Sequence, residues 1–357
     1  MPEPIKWNKG DTAEGILTCA ITARFMSKTK RITDNDVYSV IKKIKDPKKV
    51  GAGITSETTF PSPNKDTKVP KDDVICFINL AEKNMFALMN KSLQQSADYK
   101  NIVKAAVQYA NGIYIMDWAD MMYTNNVYNK IEVRSEGLLD QTGTKVDLKV
   151  VIDGKQAGVG VSLKEGDVKQ FGQVSGKEWE VMENLFTPLG VTFSNSFQAQ
   201  YEKILYDGSN KKAPVDAITT AYKEAARQLK LKKQPFLRKS LADFMKEHAT
   251  RGEENVILLQ LSRKEATAYD FALLERALKD KNIIIDDSAF TSSQVIPNSR
   301  LPKIIFKEKE SGKDILIIRN FLSGNRINSK GKRIGLTVRN LIEKGKKTTD
   351  LIAESAK

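Results

Sequence analysis

The sequence predicts an α/β chain of the α+β type: a central mixed sheet flanked by helices, with a helical insertion and a C-terminal α+β region. Three observations predict it. Residues 130–164 alternate apolar and polar with a period of two, the pattern of half-buried strands. Residues 12–27 and 194–249 repeat at helical spacing. Residues 256–321 mix short apolar runs with one helical stretch. At 357 residues the chain is long enough to bury a sizeable core in one large or two modest domains.

Residues 12–27 read as a helix that Asp11 or Thr12 can cap, with Ala13, Ile16, Leu17, Ala20 and Ile21 as its apolar stripe. Glu14 falls in the first turn, where negative charge is favoured. A second helix is expected over Asn35–Lys45, and residues 46–72, rich in Pro, Gly, Ser, Thr and Lys, read as a long basic loop. From Val74 to about Asn125 the period is helical. Phe77, Leu80, Ala81, Met85, Leu88 and Met89 form a stripe, and a second helix over Asn101–Met122 carries Tyr109, Tyr114 and Trp118 into the core.

Residues 130–164 then form a three-strand meander. In its middle strand Val146, Leu148, Val150 and Ile152 point one way, and Lys145, Asp147 and Lys149 the other. The next strand sets Val159, Val161 and Leu163 against Ser162 and Lys164, and Asp153-Gly154 supplies the turn between the two. Residues 177–188 resume as helix, with Trp179, Val181, Leu185 and Phe186 inward, followed by helices near 194–206, 214–231 and 237–249. Beyond them come a strand at Val256–Leu261, a helix over Ala266–Lys279 and an apolar run at Ile283–Ile285. Strands at Lys303–Lys309 and Asp314–Phe321 meet at a Ser311–Lys313 turn. The expected organisation is 1–125, a helical region with the basic loop; 126–250, the sheet core with its basic helices; and 251–357, an α+β region that continues the core or forms a separate lobe.

Charge narrows the function. The 58 Lys and Arg against 44 Asp and Glu leave a net charge of +14, which favours a polyanionic partner, most simply nucleic acid. No apolar run reaches the length of about eighteen residues that spans a bilayer, and MPEPIKWNKGD has no signal-peptide core. The expectation is therefore a cytoplasmic protein without a membrane partner. Two cysteines, Cys19 and Cys76, fit a reducing compartment and make no zinc site. His248 is the only histidine, which argues against histidine-based nucleophilic catalysis and leaves it a surface or helix-end residue. No phosphate-binding Gly-x-x-x-x-Gly-Lys loop occurs, and a Ser162–Lys164 hydrolase would need its serine on a helix or elbow.

The chemistry sits in the meander. Asp147 and Lys164 share the polar side of a strand pair: a carboxylate can hold a divalent cation, and a neighbouring ammonium can orient a water or stabilise developing charge. The succession of Glu14 on a helix, the strand at Ile131–Glu136, Asp147, and Ser162-Leu163-Lys164 ending a strand resembles the PD-(D/E)XK nuclease superfamily, the restriction-endonuclease-like fold. The segment KGDTAEG at Lys9–Gly15 is similar to the helix start of its junction-resolving members, and VSLKEG with Gln170 behind it resembles nuclease-like proteins of tailed phages. The sequence departs from the pattern at Ser162, where the family carries an acid. Some restriction endonucleases with this S-x-K variant recruit a glutamate from the following helix, and Glu178 lies fourteen residues after Lys164.

The resemblance implies a Mg²⁺-dependent endonuclease acting on double-stranded DNA, with Mn²⁺ able to substitute. Asp147 and Lys164 would be catalytic, and Glu178, or else Glu14, would complete the metal site. It implies a restriction enzyme or phage nuclease first, a junction resolvase second, and a non-catalytic DNA-binding protein as the different class; a homodimer is left open. Expected DNA contacts are Lys145, Lys169, Gln170 and Gln173 around the strands, Lys230, Lys232 and Lys233 in the basic helices, and Arg326 and Arg333 in the Gly-rich C-terminal stretch.

Overall fold

The computed structural model describes residues 9–27, 31–50, 53–60, 73–80, 97–112, 130–135, 146–176, 179–253, 255–262, 265–292, 296, 299–324, 326–327, 329 and 333–355. It is a mixed α+β chain that divides into two units along strand pairing. One comprises 1–168, 253–270 and 353–357, and the other 169–252 and 271–352. These units interleave along the chain, and they meet at 168/169, 252/253, 270/271 and 352/353.

The first unit is built on a nine-stranded sheet in the order β1 (Lys48–Val50), β2 (Gly53–Phe60), β3 (Asp73–Leu80), β4 (Lys130–Ser135), β5 (Leu148–Ile152), β6 (Lys155–Glu165), β8 (Val256–Ser262), β9 (Glu265–Tyr269) and β17 (Ala353–Ser355). Pairs β3–β4 and β6–β8 are parallel and the other pairs antiparallel. Helices α1 (Lys9–Met26), α2 (Asp34–Lys43) and α3 (Ala97–Ala110) accompany the sheet. Nearly every described side chain of α1 from Thr12 to Phe25 is buried, the signature of a helix covered on all sides. Two of its threonines are satisfied locally: Thr18 and Thr22 donate to the carbonyls of Glu14 and Thr18, each at 2.8 Å. The core joins α1 to the inward residues of the strands, among them Val133, Leu148, Val150, Val161, Leu163 and Leu259.

The β5–β6 turn follows its sequence signal. Asp153 and Gly154 both take positive φ, 47° and 82°, as a two-residue hairpin with right-handed strand twist requires. Three stretches of this unit differ from the sequence reading. Within 46–72, residues 48–50 and 53–60 are strands. Buried Ser56 and Thr58 resemble loop residues by composition, but Ser56 donates to the Lys45 carbonyl and Thr58 accepts the Lys45 N–H, both at 2.9 Å. Residues 73–80 are strand where helix was expected: Val74, Cys76, Ile78 and Leu80 alternate inward, and Phe77 with Leu80 imitated a helical step. The expected stripe residues 81–89, with Tyr114 and Trp118, lie outside the described residues, whereas Tyr109 is fully buried in α3. The expected helix 266–279 is a strand at 265–269 and a short helix only at 274–278, because Ala266 and Ala268 pack as a strand beside β8, overriding their helical propensity.

The second unit holds an antiparallel sheet in the order β10 (Ile283–Asp286), β12 (Arg300–Glu308), β13 (Asp314–Ser323), β16 (Thr337–Lys344) and β7 (Gln170–Gly176), with β11 (Phe290–Ser292) on β12. Its helices are α4 (Glu180–Phe186), α5 (Asn195–Leu205), α6 (Ala213–Lys230), α7 (Gln234–Thr250), α8 (Leu274–Leu278) and α9 (Lys346–Ile352). Trp179, Val181, Leu185 and Phe186 are buried as the periodicity required. A buried polar cluster ties α6 to this sheet: Tyr222 donates to Asn340 Oδ1 at 2.7 Å, and Asn320 Nδ2 donates to the same oxygen at 2.8 Å. His248 lies in the last turn of α7 with its ring 4.4 Å from that of Phe244, a helix-end residue as the sequence indicated.

Candidate active site at the ends of β4, β5 and β6

The carboxylate of Asp147, immediately before β5, accepts the main-chain N–H of Leu163 in β6 at 2.6 Å. Its own N–H donates to the Val161 carbonyl at 2.8 Å, so the residue continues the β5–β6 ladder past the last regular pair. One residue further along β6, the Lys164 ammonium donates to the Leu163 carbonyl at 3.1 Å. The nitrogen and oxygen of a single residue are at most about 3.6 Å apart. These contacts therefore hold the Asp147 carboxylate and the Lys164 ammonium within about 9 Å of each other.

Glu14 approaches the same end of the sheet from α1. It is 8% exposed, and its Oε1 accepts the hydroxyl of Ser135 at 2.5 Å. Ser135 is the register partner of Leu148, and Leu148 of Val161. Directly paired residues share a face, so Ser135, Leu148 and Val161 line the α1 side of the sheet, and alternation directs Ser162 and Lys164 to the other side. The three contacts nevertheless fall at one end of the sheet, where β4 stops, β5 begins and β6 stops.

Ser162 is 2% exposed, so the position that carries an acid in the resembling family is occupied by a small buried hydroxyl. Glu178 and Lys145 lie outside the described residues, as does Glu136. Among the described residues no group of three or more His, Cys, Asp and Glu gathers as a metal would need. The oxygens present are of the hard type that suits Mg²⁺: the carboxylates of Asp147 and Glu14, and the Leu163 carbonyl, which already faces a cationic group. On β4, Glu132 is held below the ordinary carboxylate range. Burial works against this, but bonds from Lys130 and Arg134 outweigh it. The Arg134 guanidinium lies 4.2 Å from the centre of the Phe77 ring.

One residue that the sequence reading passed over belongs to this place. Gln260 in β8 is the register partner of Lys164 and is 7% exposed. Its amide donates to the carbonyl of Gly166 at 2.5 Å, and its oxygen accepts the Tyr269 hydroxyl at 3.3 Å. Gly166 has φ of 77°, a conformation glycine takes without strain. Gln260 thus fixes the turn that leaves β6 just after Lys164. The signal was a single polar residue in the run VILLQL at 256–261.

The remaining expected contacts are dispersed in the second unit. Gln170 and Gln173 are strand residues of β7; Gln173 donates to Ser175 at 3.0 Å, and the Lys169 carbonyl accepts the Lys344 N–H at 3.0 Å. Lys230 is bonded to Asp287 at 2.7 Å, Lys232 lies 5.3 Å from the Phe236 ring centre, and Lys233 precedes α7. Arg326 and Arg333 sit in the short paired strands β14 (Arg326–Ile327) and β15 (Arg333–Ile334). No described helix is long and apolar enough to cross a membrane. No protein-family model matches the chain, and no curated protein or solved structure is found similar to it.

Proposed function

We propose that this chain is a divalent-metal-dependent DNA endonuclease of the restriction-endonuclease-like kind, in which Asp147 and Lys164 form the centre of the site. The observation that carries the reading is the Asp147 carboxylate bonded to the strand residue next to Lys164, with the lysine ammonium within about 9 Å. The order α1, β4, β5, β6, with Glu14 beside the end of β4, follows the helix–strand–strand–strand pattern of that superfamily and supports it.

Asp147 would hold Mg²⁺ or Mn²⁺ together with a second carboxylate, Glu14 or Glu178. When bound, the cation would supply positive charge to a phosphodiester and acidify a water. Lys164, turning from the Leu163 carbonyl toward the phosphate, would orient the attacking water or stabilise the charge that develops on the phosphoryl oxygens. Gln260 would keep the end of β6 in place beneath it. Restriction or phage-type cleavage of duplex DNA is the first form of the reading and junction resolution the second.

The test is to incubate the full chain with linear, supercoiled and four-way DNA, with and without Mg²⁺. Mg²⁺-dependent strand scission that Lys164→Met abolishes supports the reading, and preference for the four-way substrate selects the resolvase form. Absence of scission on all three substrates rejects it. That outcome would favour the second reading, a DNA-binding protein that keeps the fold without catalysis. Buried Ser162 in the acid's place is the observation on its side.

A further inference from the structure

The lysines singled out by their density in the sequence are partly neutralised within the second unit. Lys230 is committed to Asp287 and Lys232 lies by the Phe236 ring. A different set of cations surrounds a cleft of about 480 Å³ between α7 and α8, lined by Pro235, Arg238, Lys239, Ala272, Glu275, Arg276 and Lys279. Four of these carry positive charge and one negative. Arg238 is anchored by a bond from its Nη1 to the Lys281 carbonyl at 3.3 Å, which fixes the guanidinium in the wall. Lys239 makes a 3.4 Å contact with Asp243, but both side chains are more than half exposed, so water screens the pair and an incoming anion can displace it. Arg276 and Lys279 are exposed and have no hydrogen bond or ion pair to another described side chain. They stand three residues apart, on one side of a helical turn, where like charges repel and reduce stability. Four cations around one cleft, two of them without a counter-charge, are intelligible if the counter-charge arrives with a ligand.

We infer that the α7–α8 cleft is a docking surface for the phosphate backbone of double-stranded DNA, with Arg276 and Lys279 meeting phosphates of one strand and Arg238 and Lys239 closing the opposite wall. Charge complementarity identifies the occupant as a polyanion. The lining favours a duplex over a single strand: no aromatic ring lines the cleft, so it offers no platform on which unpaired bases stack. With its cations assigned to phosphates, the cleft contributes positioning without sequence preference. The inference rests on the nucleic-acid part of the reading above and is independent of the metal site.

The experiment measures binding of the full chain to a fluorescein-labelled duplex of about twenty base pairs in EDTA, across a salt series, so that cleavage plays no part. Arg276→Gln/Lys279→Gln is compared with wild type and with Lys203→Gln/Lys211→Gln. The latter removes the same charge from exposed lysines that do not line the cleft. Each phosphate contact contributes about 0.9 to the slope of log affinity against log salt, so the cleft variant is expected to lower the slope by about 1.8 while the control leaves it near the wild-type value. Circular dichroism with a thermal midpoint at or slightly above the wild-type value shows that the variant folds. An unchanged slope in the cleft variant, an equal loss in the control, or absence of duplex binding by wild type at low salt would overturn the inference. So would a cleft-dependent preference for single-stranded DNA. Cleft-dependent binding with no Mg²⁺-supported scission would leave the docking surface standing and remove the catalytic reading alone.

Discussion

Asp147 has a structural role in the β5–β6 ladder and a proposed role as metal ligand, and substitution can separate them. Its carboxylate accepts the Leu163 N–H at 2.6 Å, a hydrogen bond to a charged group worth about 1.5–3 kcal/mol, while a neutral equivalent is worth about 0.5–1.5 kcal/mol. Asp147→Asn keeps an acceptor of the same shape and loses only the charge, so it should cost about 1 kcal/mol. Asp147→Ala leaves the Leu163 N–H without that acceptor at the end of β6 and should cost about 2 kcal/mol or more. For a unit of this size a thermal midpoint moves by about 2–4 °C per kcal/mol. The expected order is then wild type, Asn about 2–4 °C below it, and Ala about 4–8 °C below it. Cleavage should behave differently. A carboxamide cannot neutralise a divalent cation, so Asn and Ala should both lose Mg²⁺-supported scission, by about a hundredfold or more. Scanning calorimetry and a supercoiled-plasmid nicking assay read the two roles independently. Scission by Asp147→Asn at the wild-type rate would refute the metal-ligand role. Equal midpoints for all three proteins would refute the structural one.

Ser162→Glu restores the family's acid at a buried position, where an unpaired carboxylate is costly. The variant should be destabilised in EDTA and regain stability with Mg²⁺ more than wild type does, and indifference to Mg²⁺ would place Ser162 away from any cation site. In the second unit, burial raises the Glu308 carboxyl, but Lys347, Ser311 and Lys281 outweigh it and hold it at about 2. Because the folded-state value is depressed, its stabilisation is complete above the unfolded carboxyl's range near 4.5 and is lost as pH falls toward about 2. The full shift corresponds to about 3 kcal/mol, and screening at half-exposed Lys281 reduces this to about 1–2 kcal/mol. Glu308→Gln should flatten the urea midpoint against pH across that window, and a slope identical to wild type would contradict the assignment. Cys19 and Cys76 are both fully buried, and burial, with Cys76 adding to it, pushes the Cys19 thiol up. Both thiols should resist a thiol-specific disulfide reagent until guanidinium unfolds the chain, and rapid native labelling would contradict the packing of α1 on β3.

Elements whose signal is local were legible in the chain itself. The Asp153-Gly154 hairpin, the alternation that puts Asp147 and Lys164 on one side, helices α5 to α7 and the strand at 256–262 depend on turn chemistry and short-range periodicity, which the residues carry wherever they are placed. Strands β2, β3 and β9 were not legible, because each is made a strand by its neighbours: Ser56 and Thr58 by the main chain of Lys45, Cys76 and Ile78 by β2 and β4, Ala266 and Ala268 by β8. The same division runs through the site. Sequence alone determined that a carboxylate, a lysine and an acid-free S-x-K motif occur in this spacing and that the chain carries a net charge of +14. Only the tertiary structure decided that Glu14 spends its carboxylate on Ser135, that Gln260 braces the end of β6, and that Lys230 is bonded to Asp287 while Arg276 and Lys279 line a cleft with Arg238 and Lys239. A single chain position specifies its charge and its strand or helix preference, but the partner that neutralises a charge or satisfies a buried amide comes from residues distant in sequence, and folding alone brings them together.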